Sequence, residues 1–166
     1  MRNSEDDKRY TAMKEYYMTT TDNMDKRRAL TCLGCTNDAK LIEQTLKWVK
    51  DSDDVRKQDK IFALGPCARG KNGKEVAWKF LQETIEEWKE IYAGGGFLLN
   101  SILKMPSGFV DNDKADEIEK FYAGLKDIES CQKSMKQCVE NIRLNAKWKN
   151  AQIKNIEQWI NKNCSQ

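Results

Sequence analysis

Residues 77–96, AWKFLQETIEEWKEIYAGGG, decide the fold. Ala77, Phe80, Leu81, Ile85, Trp88 and Ile91 recur at spacings of three and four, the rhythm of a helix with one buried face. Glu83, Glu86, Glu87 and Glu90 are answered by Lys79 and Lys89 at helical spacing, so these carboxylates read as a solvated face with no catalytic duty. Gly94-Gly95-Gly96 reads as the helix stop, because it lacks the lysine and the preceding strand of a phosphate loop. Upstream, Arg69-Gly-Lys-Asn-Gly73 is the punctuation from which the helix departs.

The same period runs outward in both directions, with no convincing strand alternation. Tyr10, Met13 and Tyr17 share a face of a first helix, about Glu5 to Met18; Ala29, Leu30 and Leu33 mark a second, which stops at Gly34. Thr36 or Asn37 is expected to cap a third, carrying Ile42, Leu46 and Val49 with Leu41 and Trp48 beside them. Ser52-Asp53-Asp54 reads as the start of a fourth, bearing Val55, Ile61 and Phe62 until Gly65-Pro66 breaks it. Beyond the glycines, Phe97 to Met105 is a short apolar segment stopped by Pro106 and Gly108, and Asp111 to Asp113 cap a helix with Ala115, Ile118, Phe121 and Leu125. The last and longest helix, roughly Glu129 to Asn161, carries Met135, Val139, Ile142, Ala146, Ile153, Ile156 and Ile160. The expectation is an all-α chain of about eight antiparallel helices stacked as HEAT- or armadillo-like hairpins and ending in one long helix. Residues 1–8 form a polar lead-in, 9–162 the helical domain and 163–166 a tail.

Composition narrows the function. The 166 residues include 29 basic and 26 acidic side chains, a net charge of +3 that is too small and too mixed to point to nucleic acid. There is no histidine, which excludes Ser-His-Asp and Cys-His catalysis and every histidine-bearing metal site. No run approaches the roughly 18 apolar residues of a membrane span, and the polar N-terminus has no signal-peptide core. The chain is accordingly expected to be either a cytosolic protein or an internal piece of a longer one.

Cys32-Leu-Gly-Cys35 has the spacing of zinc and redox motifs, but no second ligand pair exists and the motif closes a helix rather than opening one after a strand. Core packing or a disulfide is the expected reading. Cys131 and Cys138, about 10 Å apart along one helix, cannot bond to each other and are expected to be buried thiols. Trp48, Trp78, Trp88, Trp148 and Trp159 sit at or beside apolar stripes and are expected to fill core or groove. Arg69 and Lys71, on the glycine-rich loop, are either solvated surface charges or a site for a carboxylate, which a loop-borne guanidinium suits.

Five ordered strings carry a resemblance: RALTCLGCTNDAKLIEQTL (28–46), VRKQD (55–59), GKEVAWKFLQETIEEWKEIYAGGGF (73–97), ENIRLNAKW (140–148) and IEQWI (156–160). In order and spacing, from about Arg9 to Ile160, they resemble the C-terminal helical domain of zinc aminopeptidases of the aminopeptidase N, puromycin-sensitive and endoplasmic-reticulum types. The chain departs from that pattern at Thr84-Ile85, where relatives usually read Asn-Trp, and at Lys133, where many have arginine.

The resemblance implies a non-catalytic domain of a larger metallopeptidase, whose zinc and HExxH helix lie in a separate catalytic domain, so that no cofactor belongs to this chain. Its implied partners are that catalytic domain, over which it closes a substrate chamber, and peptide substrates, with no nucleic acid and no direct membrane insertion. An excised domain could self-associate through the apolar face it exposes. Arg69, with Lys71 beside it, corresponds to a position implicated in holding the peptide C-terminus. Cys35 corresponds to a cysteine that pairs with one upstream of residue 1. That cysteine, and the sequon Asn163-Cys-Ser165, tilt the parent toward an extracellular or luminal ectodomain of a membrane-anchored enzyme, with a cytoplasmic parent as the alternative. The alternative function is a free-standing helical-repeat protein-interaction module without an enzyme partner.

Overall fold

The computed structural model describes residues 4–93 and 96–164, with side chains from Asp7 onward. Eight α-helices are present among them: α1 Ser4–Thr19, α2 Asn23–Gly34, α3 Ala39–Asp51, α4 Ile61–Cys67, α5 Gly73–Ile91, α6 Gly96–Leu103, α7 Asn112–Ala123 and α8 Gln132–Asn163. Short 3-10 turns at Lys57–Asp59, Met105–Gly108 and Glu129–Cys131 join some of them, and no strand occurs among the described residues. The expected all-α fold is the one found. Gly94 and Gly95 of the expected helix stop, and Ser165 of the sequon, lie outside the described residues.

Two compact units divide the chain, residues 1–106 and 107–166. In the first, α2 packs on α1 and α4, and α3 packs on α4 and α5, so helices two apart in sequence are neighbours in space. The stripes read from the period face inward: Leu30, Ile42, Leu46, Leu81 and Trp88 are all within 1% of full burial. In the second unit α7 packs on α8 through Ala115, Ile118, Met135, Val139, Ile142 and Ala146, with Tyr122 and Cys138 in buried contact at 3.7 Å. Cys131 and Cys138 are buried thiols, as their spacing suggested.

Three local readings are corrected. The cap of α3 is neither Thr36 nor Asn37 but Asp38, whose Oδ1 accepts from the Lys40 and Leu41 N–H groups at 2.9 and 3.1 Å. Thr36 is spent one step earlier, its hydroxyl accepting from the Asp38 N–H. Ser52-Asp53-Asp54 does not start a helix: Ser52 closes α3, and α4 begins only at Ile61 and ends at Cys67, one residue past the expected stop at Gly65-Pro66. The reason is tertiary, since the Lys60 ammonium turns the segment back by donating to the carbonyls of Val49, Lys50 and Ser52. Asp59 beside it is buried and splits its two oxygens between Arg27 at 3.0 Å and Arg56 at 2.6 Å. Third, the stripe of α8 is buried only as far as Ala146. Trp148 and Trp159 are 61% and 62% exposed, against the expectation that they fill core or groove, and Ile153, Ile156 and Ile160 are exposed beside them. Every described residue of α8 from Lys147 onward is exposed.

Burial also sets an alkaline limit. The Cys67 thiol is pushed up from 9.0 to about 12 by burial, and Tyr92, whose hydroxyl donates to the Lys57 carbonyl, from 10.0 to about 12 for the same reason. Both groups are neutral in the fold and ionise more readily once it opens, so the stability they confer is complete below pH 9 and is lost as pH rises toward 12. Lys60 acts in the opposite sense, because burial lowers its pKa and the unfolded chain holds that proton more tightly. A urea-midpoint series from pH 7 to 10.5 is expected to fall above pH 9. Cys67→Ala should remove about 2 kcal/mol of that fall, the worth of one and a half pH units.

Candidate functional site

Two interhelical loops meet in the first unit. The α2–α3 loop, Cys35 to Asp38, and the α4–α5 loop, Ala68 to Asn72, are clasped by the Asn72 side-chain amide, which donates to the Asn37 carbonyl at 2.8 Å. The α4–α5 loop is wound tightly on itself, with the Arg69 N–H donating to the Pro66 carbonyl and the Gly73 N–H to the Gly70 carbonyl. A Cβ on Gly70 would come within 2.7 Å of the Asn37 Oδ1, so the loops approach as closely as a glycine allows. Lys71 and Arg69 are exposed on this loop, and neither side chain has a hydrogen bond or ion pair among the described residues. They differ in this from Lys47, Lys79 and Lys89, each of which pairs with a glutamate on its own helix.

Beside the clasp lies a cleft of about 640 Å³ between α1 and the end of α2. Tyr10 forms part of its wall within a cluster that includes Leu33 and Leu41. The Thr45 hydroxyl donates to the Leu41 carbonyl at 2.7 Å, so the Tyr10 hydroxyl is the donor in its own 2.7 Å bond to Thr45. Burial raises the Tyr10 pKa, which keeps that donor protonated. Asn37, Asp38 and Asn72 supply polar groups to the cleft.

Of the residues singled out from sequence, Cys35 lines this cleft, whereas Arg69 and Lys71 do not and stand on the adjoining loop. Cys32 lines it as well. Both cysteines are exposed, which corrects the expectation of core packing, and neither is paired with another described cysteine. The clasp itself was missed. Its sequence trace is the pair of Asn-bearing turns, Thr36-Asn-Asp38 and Lys71-Asn-Gly73, the first read only as a helix cap and the second only as punctuation. The residues present do not suit zinc: there is no histidine, and among the described residues no three His, Cys, Asp or Glu side chains converge.

Fold and loops together define the class, an all-α domain whose chemistry-bearing side chains gather at two clasped interhelical loops. A family model described as the ERAP1-like C-terminal domain matches residues 1–144, and the chain belongs to that family. Aminopeptidase M1 of Arabidopsis thaliana is 32% identical over 146 residues, which cover 88% of this chain and 16% of that protein. Aminopeptidase 2, mitochondrial, of Saccharomyces cerevisiae is 27% identical over 155 residues, 93% of this chain and 16% of that protein. Aminopeptidase N of Canis lupus familiaris is 25% identical over 142 residues, 84% of this chain and 14% of that protein. The chain thus spans about a sixth of the length of the curated relatives it matches. Among its described residues no helix is long and apolar enough to cross a membrane.

Proposed function

We propose that this chain acts as the non-catalytic C-terminal part of a zinc metalloaminopeptidase, a HEAT-like helical stack that closes the substrate chamber over the catalytic domain and holds the C-terminal end of the peptide. The observation that carries the second role is the loop bearing Arg69 and Lys71, two exposed cations without a partner among the described residues on a backbone pinned by the Asn72–Asn37 bond. A peptide carboxylate is the planar anion that Arg69 can meet with two parallel hydrogen bonds. Closure over another domain is supported by α8, whose exposed Trp148, Ile153, Ile156 and Trp159 make an apolar surface suited to further protein. The parent is read as an extracellular or luminal ectodomain; one of the curated relatives is named a thyrotropin-releasing hormone-degrading ectoenzyme, from Rattus norvegicus.

Peptides that differ only in a free or an amidated C-terminus test the reading directly. The free acid is expected to bind this chain more tightly, and Arg69→Ala to weaken it about fivefold, the worth of roughly 1 kcal/mol for an exposed ion pair. Equal binding of acid and amide, or an unchanged Arg69→Ala, would remove peptide-end recognition from the domain.

A further inference from the structure

Cys32 and Cys35 are the two exposed cysteines that share one cleft; the third exposed cysteine, Cys164, stands apart from them in the chain. Cys67, Cys131 and Cys138 are buried and Cys164 follows the end of α8, while Cys32 and Cys35 are exposed together on one cleft. The Cys35 N–H donates to the Cys32 carbonyl at 3.1 Å, a three-residue closure at the end of α2. In a 3-10 closure the side chains at i and i+3 eclipse, so both thiols leave the backbone on the same side. The residues between them are held from behind. Leu33 is buried with Tyr10 and Leu41, and a Cβ on Gly34 would lie 2.6 Å from the Ala63 carbonyl oxygen and 2.8 Å from the Pro66 Cβ.

We propose that Cys32 and Cys35 form a vicinal dithiol site that low-molecular-weight disulfides oxidise reversibly to an internal disulfide. The thiolate of one cysteine attacks a sulfur of the incoming disulfide, forming a mixed disulfide and expelling one small thiolate. The second cysteine's thiolate then attacks the protein sulfur of that mixed disulfide and expels the other. One small S–S bond is exchanged for one protein S–S bond; the two thiol protons pass to the departing thiolates, and the small disulfide takes up both electrons. Cys67, close enough to Cys35 to interact with it electrostatically, stays out of the exchange because burial keeps its thiol protonated.

Cβ atoms on a helix lie about 5–6 Å apart at this spacing and about 3.8 Å apart in a disulfide, so oxidation must draw Cys35 inward. Cys35 is the C-cap, so the shift passes into the Thr36–Asp38 loop and to the Asn37 carbonyl that Asn72 grips. The site's chemistry does not depend on Arg69 or on carboxylate binding.

The 166-residue chain is equilibrated with mixtures of oxidised and reduced glutathione, quenched in acid, alkylated and cleaved with trypsin. The peptide Ala29–Lys40 holds both cysteines and is expected to be recovered unalkylated and lighter by two hydrogens, reverting on reduction. Phenylarsine oxide, which condenses with two neighbouring thiols and releases water, is expected to bind one equivalent per folded chain. Cys32→Ser or Cys35→Ser should each abolish that binding, and Cys164→Ser should leave it intact. A mixed disulfide that stops on one cysteine, Cys35 recovered crosslinked to any cysteine other than Cys32, or arsenical binding that survives Cys32→Ser would each overturn the assignment.

Discussion

Lys60→Met is expected to destabilise the chain by about 3 kcal/mol, although the substitution replaces a cation with an apolar side chain at a buried position. Lys60 is 4% exposed, and its ammonium donates at 2.6, 2.8 and 3.2 Å to the carbonyls of Val49, Lys50 and Ser52. These carbonyls belong to the last turn of α3 and the residue after it, where no further helical N–H is available. A cation there also meets the negative end of the helix dipole. Methionine fills the space and donates nothing, so part of the desolvation cost of the carbonyls goes uncompensated. The check is a urea titration in which the midpoint falls while the slope is unchanged. Lys57→Met, at an exposed position in the neighbouring 3-10 turn, should stay within about 0.5 kcal/mol of the parent chain.

Gly73→Ala is expected to cost about 3 kcal/mol or more. Gly73 opens α5, and a methyl group on it would overlap the carbonyl oxygen of Cys67, which ends α4. The obstacle is backbone, so no rotamer change relieves it; the end of one helix must move off the start of the other. That movement passes through residues 68–72, so the variant should lose carboxylate-dependent peptide binding together with stability. Gly65→Ala is the control. It lies in α4 with nothing within 4 Å of the added methyl and should be neutral or stabilising by up to about 1 kcal/mol, since alanine has less backbone freedom to lose. A Gly73→Ala chain as stable as the Gly65→Ala chain would refute the close approach of α4 and α5.

The helices were legible because the signal for them is local. The stripe Ala77, Phe80, Leu81, Ile85, Trp88 needs only the 3.6-residue period to declare its inward face, and Asp111 caps α7 with its own side chain, accepting from the Asp113 and Lys114 N–H groups as its position suggested. Where several residues of the same chemistry stood together, local reading could not choose among them. Thr36, Asn37 and Asp38 can all cap a helix, and the cap is Asp38: its Oδ1 accepts from the Lys40 and Leu41 N–H groups, the Thr36 hydroxyl accepts from the Asp38 N–H, and the Asn37 backbone carbonyl takes the hydrogen bond from Asn72, thirty-five residues away. The acidic run at 52–54 opens no helix: the Ser52 hydroxyl accepts from the Asp54 N–H in a local turn, and the Lys60 ammonium holds the Ser52 carbonyl.

Of the candidate site, the sequence located the loop of Arg69 and Lys71 and the cysteine pair but could not place them against each other. Alone it determined that the chain is helical, how many helices there are and which face of each is apolar, because backbone period and side-chain polarity are properties of neighbouring residues. Tertiary structure decided what those faces meet. It brought the Asn37 and Asn72 loops into one clasp and turned Cys32 and Cys35 outward into a cleft. It also left the apolar stripe of α8 bare beyond Ala146, although the residues on either side of that point read alike. Exposure depends on whether another element arrives within contact distance, and that depends on residues far along the chain.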